Sequence, residues 1–194
     1  MHWLTRTSWG LVATLLWINL WGCAPRVAPA VPAGIALEPG RYLNLVYRAP
    51  DFAPARATYT LEAFQLDQVQ GLSPAAMQTI WDSELAQAWR ANGLRVSTQG
   101  DIRLAGTIQV ATLRGETLRY FTGRVYATLA VSGAMTRGDE VVFAFQDRLH
   151  LTSPVNPGPG APMEGELLLR QAARTVAGHV LNELLLYGLP AEGR

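Results

Sequence analysis

The stretch IRLAGTIQVATLRGETLRYFTGRVYATLAVSGAMTRGDEVVFAFQDRLHL, residues 102–151, contains three runs in which apolar and polar side chains alternate. The runs cover residues 102–114, 119–135 and 140–151, and turn residues separate them at 115–116 and at 137–139. Alternation with a period of two is typical of strands that have one covered face. The stretch therefore predicts a three-strand antiparallel meander.

Two segments with helical spacing flank this meander. Before it, Ser73 is a suitable N-cap, Pro74 suits the first helical position, and Asn92-Gly93 is a suitable stop. After it, an apolar stripe at helical spacing predicts a second helix over residues 164–187. Each predicted helix has one apolar side that needs a partner to cover it.

Three further segments, residues 41–48, 57–66 and 94–97, have the composition of strands. Together with the meander and the helices they predict an α+β fold. We expect a two-layer sandwich, in which a mostly antiparallel sheet with a three-strand meander is covered on one face by two helices.

The alternation also predicts which side chains the helices cover. These are the even-numbered residues from Ile102 to Val110 and the odd-numbered residues of the other two runs. Asp147 falls among them, which predicts either a bulge that shifts the register or an exposed strand end. Trp81 and Trp89 lie eight residues apart on the first helix, so we expect them to pack in the core.

The charge of the chain excludes one class of partner. All 16 basic residues are arginines, and removing residues 1–22 leaves 15 of them against 15 acidic residues. A neutral chain lacks the broad positive field that attracts nucleic acid, so no nucleic-acid partner is expected. The single cysteine, Cys23, cannot form an internal disulfide.

The N-terminus has the composition of a signal peptide. Residues 1–8 carry one positive charge, at Arg6, and residues 9–21 are uncharged and mostly apolar. This apolar stretch is shorter than the roughly 20 residues that a transmembrane helix needs. Cys23 lies just after this stretch, separated from it by Gly22. If the cysteine is incidental, the alternatives are ordinary cleavage near Ala30 or Ala33, or a segment that stays uncleaved as a membrane anchor.

Leu20-Trp21-Gly22-Cys23 resembles the lipobox of bacterial lipoproteins, with leucine three residues before the cysteine and glycine directly before it. The resemblance implies that the sulfur of Cys23 receives a diacylglycerol, that the chain is cut before Cys23, and that the new amine is acylated. Ala24 follows instead of aspartate, which in Gram-negative sorting implies anchoring in the outer membrane, on its periplasmic face.

These features divide the chain into three parts. Residues 1–22 are predicted to be a lipoprotein signal peptide, and residues 23–40 an acylated cysteine followed by a linker rich in proline and alanine. Residues 41–190 are predicted to form a single periplasmic α+β domain, since their length suits one domain.

Sequence motifs of catalysis are missing from the chain. It contains no GxSxG, HExxH, CxxC or P-loop pattern. His150 and His179 lie in no acid-rich segment, so we interpret them as surface or satisfied histidines. The sequence therefore predicts a protein that is not an enzyme and that has no cofactor and no metal site.

The uncovered side of the meander is the candidate binding face. It is predicted to collect Arg103, Tyr120, Arg124, Tyr126 and Arg148, with the arginines within about 5 to 8 Å of each other. Arginine with tyrosine suits an anionic lipid headgroup or an envelope protein partner. An ordinary solvated sheet face, where threonine, tyrosine and arginine are favoured anyway, is the alternative.

The order of elements resembles small Gram-negative outer-membrane lipoproteins of the YajG-like and LptE-like types. The residues that carry the resemblance are Leu20 to Cys23, Ala91 to Val96, and Leu104 to Gly106. The resemblance implies a non-catalytic, membrane-anchored periplasmic lipoprotein that acts in envelope assembly or in the transport of lipid or lipopolysaccharide. A glycan- or peptidoglycan-binding module and an auxiliary lipoprotein of a lipid-transport ABC system are the alternatives.

Overall fold

The computed structural model describes residues 31–32, 34–115, 124–153 and 161–186. Residues 1–22, which are predicted to be a signal peptide, lie outside these residues, as do Cys23 and Tyr120. Within the described ranges the chain forms seven strands, two α-helices and a short 3₁₀ turn at Pro54–Arg56. The elements, in chain order, are β1 (Leu45–Arg48), β2 (Thr58–Leu61), β3 (Gln65–Gln70), α1 (Pro74–Ala91), β4 (Arg95–Val96), β5 (Ile102–Arg114), β6 (Tyr126–Arg137), β7 (Glu140–Thr152) and α2 (Ala161–Leu186).

The strands form one mixed sheet in the order β1-β7-β6-β5-β2-β4. β5, β6 and β7 pair antiparallel, and β1 joins β7 antiparallel at one edge. At the other side of the meander, β2 and β3 pair in parallel with successive parts of β5, and β4 pairs in parallel with β2. The predicted α+β fold and its antiparallel meander are therefore confirmed.

The predicted strand over residues 57–66 is instead two strands, β2 and β3, separated at residues 62–64. Phe64 explains the break, because its side chain is buried and its ring lies 5.0 Å from that of Trp81 on α1. A Cβ on Gly106 of β5 would collide with the Phe64 ring. The glycine therefore leaves the space that lets this aromatic ring lie against the sheet.

Two register shifts change which side chains face the helices. The first lies at Gln109 of β5, and beyond it Ala111 is buried in the core while Val110 faces the open side. The second lies where β6 meets β7 near Val142, which is buried in place of Val141. The predictions for Val110, Ala111, Val141 and Val142 are wrong, because an extra residue in a strand reverses the alternation on one side of it relative to the other.

The helices cover one face of the sheet, as predicted. The hydroxyl of Ser73 caps α1 by accepting a hydrogen bond from the Ala76 N–H at 3.2 Å. Gly93 ends the helix region with a φ of +71°, a conformation that glycine adopts without strain. Trp81 and Trp89 are fully buried, which confirms their predicted place in the core. The buried stripe of α2 consists of Leu169, Ala172, Ala173, Val176, Val180 and Leu184.

Candidate binding face and buried acids

The candidate binding face is the side of the sheet opposite the helices, here called the open face. The strand register places Arg103 opposite Thr136 of β6, and Arg148 opposite Ala130 of the same strand. These opposing residues are six positions apart on β6, so the two arginines are offset by about 20 Å along the strand direction. The expected 5 to 8 Å between Arg103 and Arg148 is wrong, because their opposing residues lie at different heights of the sheet.

The other predicted residues of the face lie at different positions. Arg103 is held by Glu62, whose Oε1 is 2.9 Å from the arginine Nε. Arg124 precedes β6 and is exposed, and Tyr126 is the first residue of that strand. Tyr120 lies outside the described residues. The structure thus separates Arg103 from the end of the sheet at which Tyr126 lies.

The middle of the open face, around Ser132 of β6, carries no charged side chain. Its larger side chains include Gln146, opposite Ser132, and Tyr47 of the edge strand β1, opposite Ala144. Most of the others are small, and the following four are buried: Thr107, Ser132, Ala134 and Ala144. The register places them on neighbouring strands at similar heights of the sheet. The face is therefore smooth and weakly polar at its centre, and its charges lie toward its ends.

A basic end of the open face is formed by Arg114, Tyr126, Thr128, Arg148 and His150. Arg114 pairs with Tyr126 across β5 and β6, and Thr128 pairs with His150 across β6 and β7. The Thr128 hydroxyl lies 2.9 Å from Nδ1 of His150. Arg114, Tyr126, Arg148 and His150 are exposed.

The basic end contains no acid within its strands. Residues 112–114, 126–130 and 148–152 include no aspartate or glutamate. Among the described residues, neither Arg114 nor Arg148 has an ion-pair partner.

On the covered face, Asp147 is a buried acid. The register at Val131–Asp147 is regular, and only 6% of Asp147 is exposed. Its Oδ2 lies 2.8 Å from Nδ1 of His179 on α2. Neither predicted explanation of Asp147 is correct, because there is no bulge at this position and the strand end is not exposed. His179 is a satisfied histidine, as interpreted from the sequence.

A second buried acid on α2 holds the chain that leads into β1. Glu183 is fully buried, and its Oε2 accepts hydrogen bonds from the N–H groups of Tyr42 (2.6 Å) and Leu43 (3.3 Å). The N–H of the next residue, Asn44, points to Oδ1 of Asp147 at 3.4 Å. Sequence analysis did not single out Glu183, although it is a charged residue on the apolar side of a helix.

The third buried acid, Glu84 of α1, joins the two helices. Its Oε2 accepts from Nε of Arg174 at 2.9 Å, and its Oε1 accepts from Nη1 of Arg170 at 3.3 Å. The hydrogen bond from Arg174 holds the pKa of Glu84 below its usual range, against the burial that would raise it. Glu84 is thus an ionised carboxylate at the interface between the helices.

We expect Glu84→Gln to lower the free energy of unfolding by about 1.5 to 3 kcal/mol at pH 7, the range for hydrogen bonds to charged groups. Because the pKa of Glu84 is lowered on folding, its contribution is complete above the ordinary value of 4.5 and is lost as the pH falls below it. Urea titrations at several pH values should show that the difference in unfolding free energy between wild type and variant decreases in acid. Glu166→Gln is the control, since Glu166 is more than half exposed; an equal loss there would contradict the assignment.

The described residues carry no other obvious site. Within them, no three His, Cys, Asp or Glu side chains are grouped closely enough to hold a metal ion. Neither helix of the described part is both long and apolar enough to cross a membrane. A groove of about 690 Å³ runs between residues 34–39 and β1.

No protein-family model matches the chain, and no curated protein matches it in sequence. Solved structures do match. Protein XCC0632 from Xanthomonas campestris, which carries the family designation DUF330, is 11% identical over 73% of this chain and 91% of that protein, with a TM-score of 0.53. The hypothetical protein CT253 from Chlamydia trachomatis is 12% identical, and the match covers 68% of this chain and 99% of that protein, with a TM-score of 0.46. A minor lipoprotein from Acinetobacter baumannii is 14% identical, with 69% and 95% covered and a TM-score of 0.44. The match to the Xanthomonas protein shows that the two chains share a fold.

Proposed function

We propose that the protein is a non-catalytic lipoprotein of the bacterial envelope, anchored in the outer membrane through acyl chains on Cys23. Its open face binds an anionic partner, a phosphorylated lipid or an acidic protein surface, in envelope assembly or lipid transport. The observation that carries the proposal is the basic end of the open face, where Arg114 and Arg148 are exposed and the strand segments 112–114, 126–130 and 148–152 contain no acid.

The chemistry of arginine supports this choice of partner. A guanidinium group donates paired hydrogen bonds to the oxygens of a phosphate or a carboxylate, and such charge-assisted bonds are stronger than neutral ones. Tyr126 adds a hydroxyl and an aromatic surface beside Arg114. The mature chain is close to neutral, so attraction to an anion would come from this local patch and not from the net charge.

The lipobox supports the location. Residues 9–21 and Cys23 have the order of a lipoprotein signal, and the described domain begins shortly after the linker. The resemblance to YajG-like and LptE-like lipoproteins adds a role in assembly or transport. An anchored domain with a basic face would meet anionic lipid or envelope proteins at high local concentration.

We expect the double substitution Arg114→Gln with Arg148→Gln to weaken binding of short-chain phosphatidic acid about tenfold, since each exposed arginine loses a solvent-screened ion pair that contributes up to about 1 kcal/mol. Fluorescence anisotropy of a labelled probe, with the full acylated protein in non-ionic detergent, measures the effect. For the wild type, binding should weaken as salt is raised, because salt screens exposed charges.

Arg103→Gln is the matched control. Its guanidinium lies at the far end of the open face and is already engaged by Glu62. Binding should stay near the wild-type level in this variant. If the control and the double variant bind equally well, the basic end is only a solvated surface. Salt-independent binding of a neutral oligosaccharide would instead favour the glycan-binding alternative.

A further inference from the structure

Residues 40–44 connect the linker to β1, and buried side chains hold them in place. Three consecutive backbone N–H groups, those of Tyr42, Leu43 and Asn44, point to the carboxylates of Glu183 and Asp147. These acids belong to β7 and α2, and both are buried. We call residues 40–44 with their two acids the clamp.

The folded domain is destabilised if either acid of the clamp loses its hydrogen-bond donors. Glu183 is fully buried, and within the described part of the chain its Oε1 has no hydrogen-bond partner. Asp147 is almost fully buried and depends on His179 for its other oxygen. A buried carboxylate that loses its donors is strongly destabilised. The acids therefore favour the bound position of residues 42–44.

Gly40 lets the chain approach Glu183 closely. A Cβ at this position would lie 2.8 Å from the carbonyl oxygen of Leu43 and 3.0 Å from Oε2 of Glu183. The backbone oxygen cannot move away as easily as the tip of a side chain. A larger residue at position 40 would therefore force the clamp open without removing any of its polar groups.

The clamp also reaches the open face through Asn44. β1 begins at Leu45, which pairs with Gln146, so β1 offers no strand residue opposite Arg148. The side-chain oxygen of Asn44 takes that place and accepts a hydrogen bond from the Arg148 N–H at 2.9 Å. Asp147 and Arg148 are neighbours on β7, with the acid facing the helices and the arginine facing outward.

We propose that the clamp joins the membrane tether to β7 and that Asn44, Asp147 and Glu183 are positioning residues for Arg148. On the anchor side of the clamp, Glu38 also pairs with Val46 of β1 through two backbone hydrogen bonds of 2.9 and 2.7 Å. The clamp therefore adds β7 and α2 to the attachment that the end of the linker already has to β1. The membrane tether and the role of Arg148 rest on the proposed function; the hydrogen bonds of the clamp do not.

Residue-resolved amide hydrogen exchange of the full acylated protein in detergent tests the clamp. We expect Asn44→Ala to speed exchange of the Arg148 amide about tenfold, because that N–H loses its acceptor. Gly40→Ala should speed exchange at residues 42–44 to a similar degree. Gly178→Ala is the control, since its added Cβ on α2 meets nothing within 4 Å.

The binding assay with short-chain phosphatidic acid then tests the positioning role. We expect Asn44→Ala and Gly40→Ala to weaken binding about threefold to tenfold, while Gly178→Ala binds like the wild type. Unchanged exchange at residues 42–44 in Gly40→Ala would overturn the clamp, and unchanged exchange of Arg148 in Asn44→Ala would overturn its link to Arg148. Faster exchange with unchanged binding would overturn the positioning of Arg148.

Two outcomes keep the proposals separate. If the wild type does not bind the probe, the proposed function fails in this form, and the exchange data alone decide whether the clamp exists. If Gly40→Ala does not fold, exchange at residues 42–44 of the wild type decides, because amides that exchange as fast as those of an exposed loop would overturn the clamp. Asn44→Ala still tests the link to Arg148, because the Asn44 side chain is exposed and its loss leaves the core intact.

Discussion

Trp81→Ala is expected to lower the free energy of unfolding by about 3 to 5 kcal/mol, the usual cost of truncating a buried aromatic side chain. Trp81 is fully buried on α1, and its ring lies 5.0 Å from that of Phe64. Phe64 lies in the short segment between β2 and β3. Removing the Trp81 side chain leaves a cavity between the helix and the sheet. Urea unfolding of the full protein, followed by circular dichroism, measures the loss.

Leu167→Ala on α2 is the control for this experiment. Leu167 is a large apolar residue of which 60% is exposed, so its truncation should change the free energy of unfolding by less than about 0.5 kcal/mol. If Trp81→Ala unfolds at the same urea concentration as the wild type, the packing of α1 on the sheet is not what stabilises the domain.

Cys23→Ser is expected to remove the protein from the membrane fraction or to leave an uncut precursor. Lipid modification needs the thiol, and acyl chains stabilise membrane binding by about 0.8 kcal/mol per buried CH₂, so that two or more chains anchor a protein stably. Fractionation of envelopes, with mass spectrometry of the mature N-terminus, measures both effects.

The mass of the mature wild type separates the lipobox from its alternatives. Cleavage before Cys23 with added acyl mass is expected. An unmodified N-terminus near residue 30 would indicate an ordinary signal peptide, and normal membrane association of the Cys23→Ser variant would contradict the anchor. The conservative variant Ala24→Ser retains the thiol and should stay in the membrane fraction.

The candidate binding face was only partly predictable. Arg148 and Tyr126 lie on the open face as the alternation indicates, because side-chain direction in a strand follows from parity alone. The distance between Arg103 and Arg148 depends on the register between strands, which parity does not contain. Arg114, which completes the basic end, falls on the covered side by the alternation of its strand, and only the register shift at Gln109 places it on the open face.

The buried acids show a second limit of pattern reasoning. Asp147 was recognised as an exception to the apolar alternation, but its partner His179 lies 32 residues away on another element. Glu84 and Glu183 interrupt the apolar sides of α1 and α2 in the same way. A charged residue on an apolar side signals that a partner exists, and only the packing of helix on sheet identifies which residue that partner is.

The sequence by itself determined the local structure of this protein. Period-two alternation, helical spacing and the Ser73 cap are properties of neighbouring residues, so they established the meander, both helices and the α+β class. Tertiary structure alone decided the parallel pairing of β2 and β3 with β5, the two register shifts, and the clamp at residues 40–44. Each of these depends on contacts between residues distant in the chain, whose free energy arises only when the sheet and helices pack together.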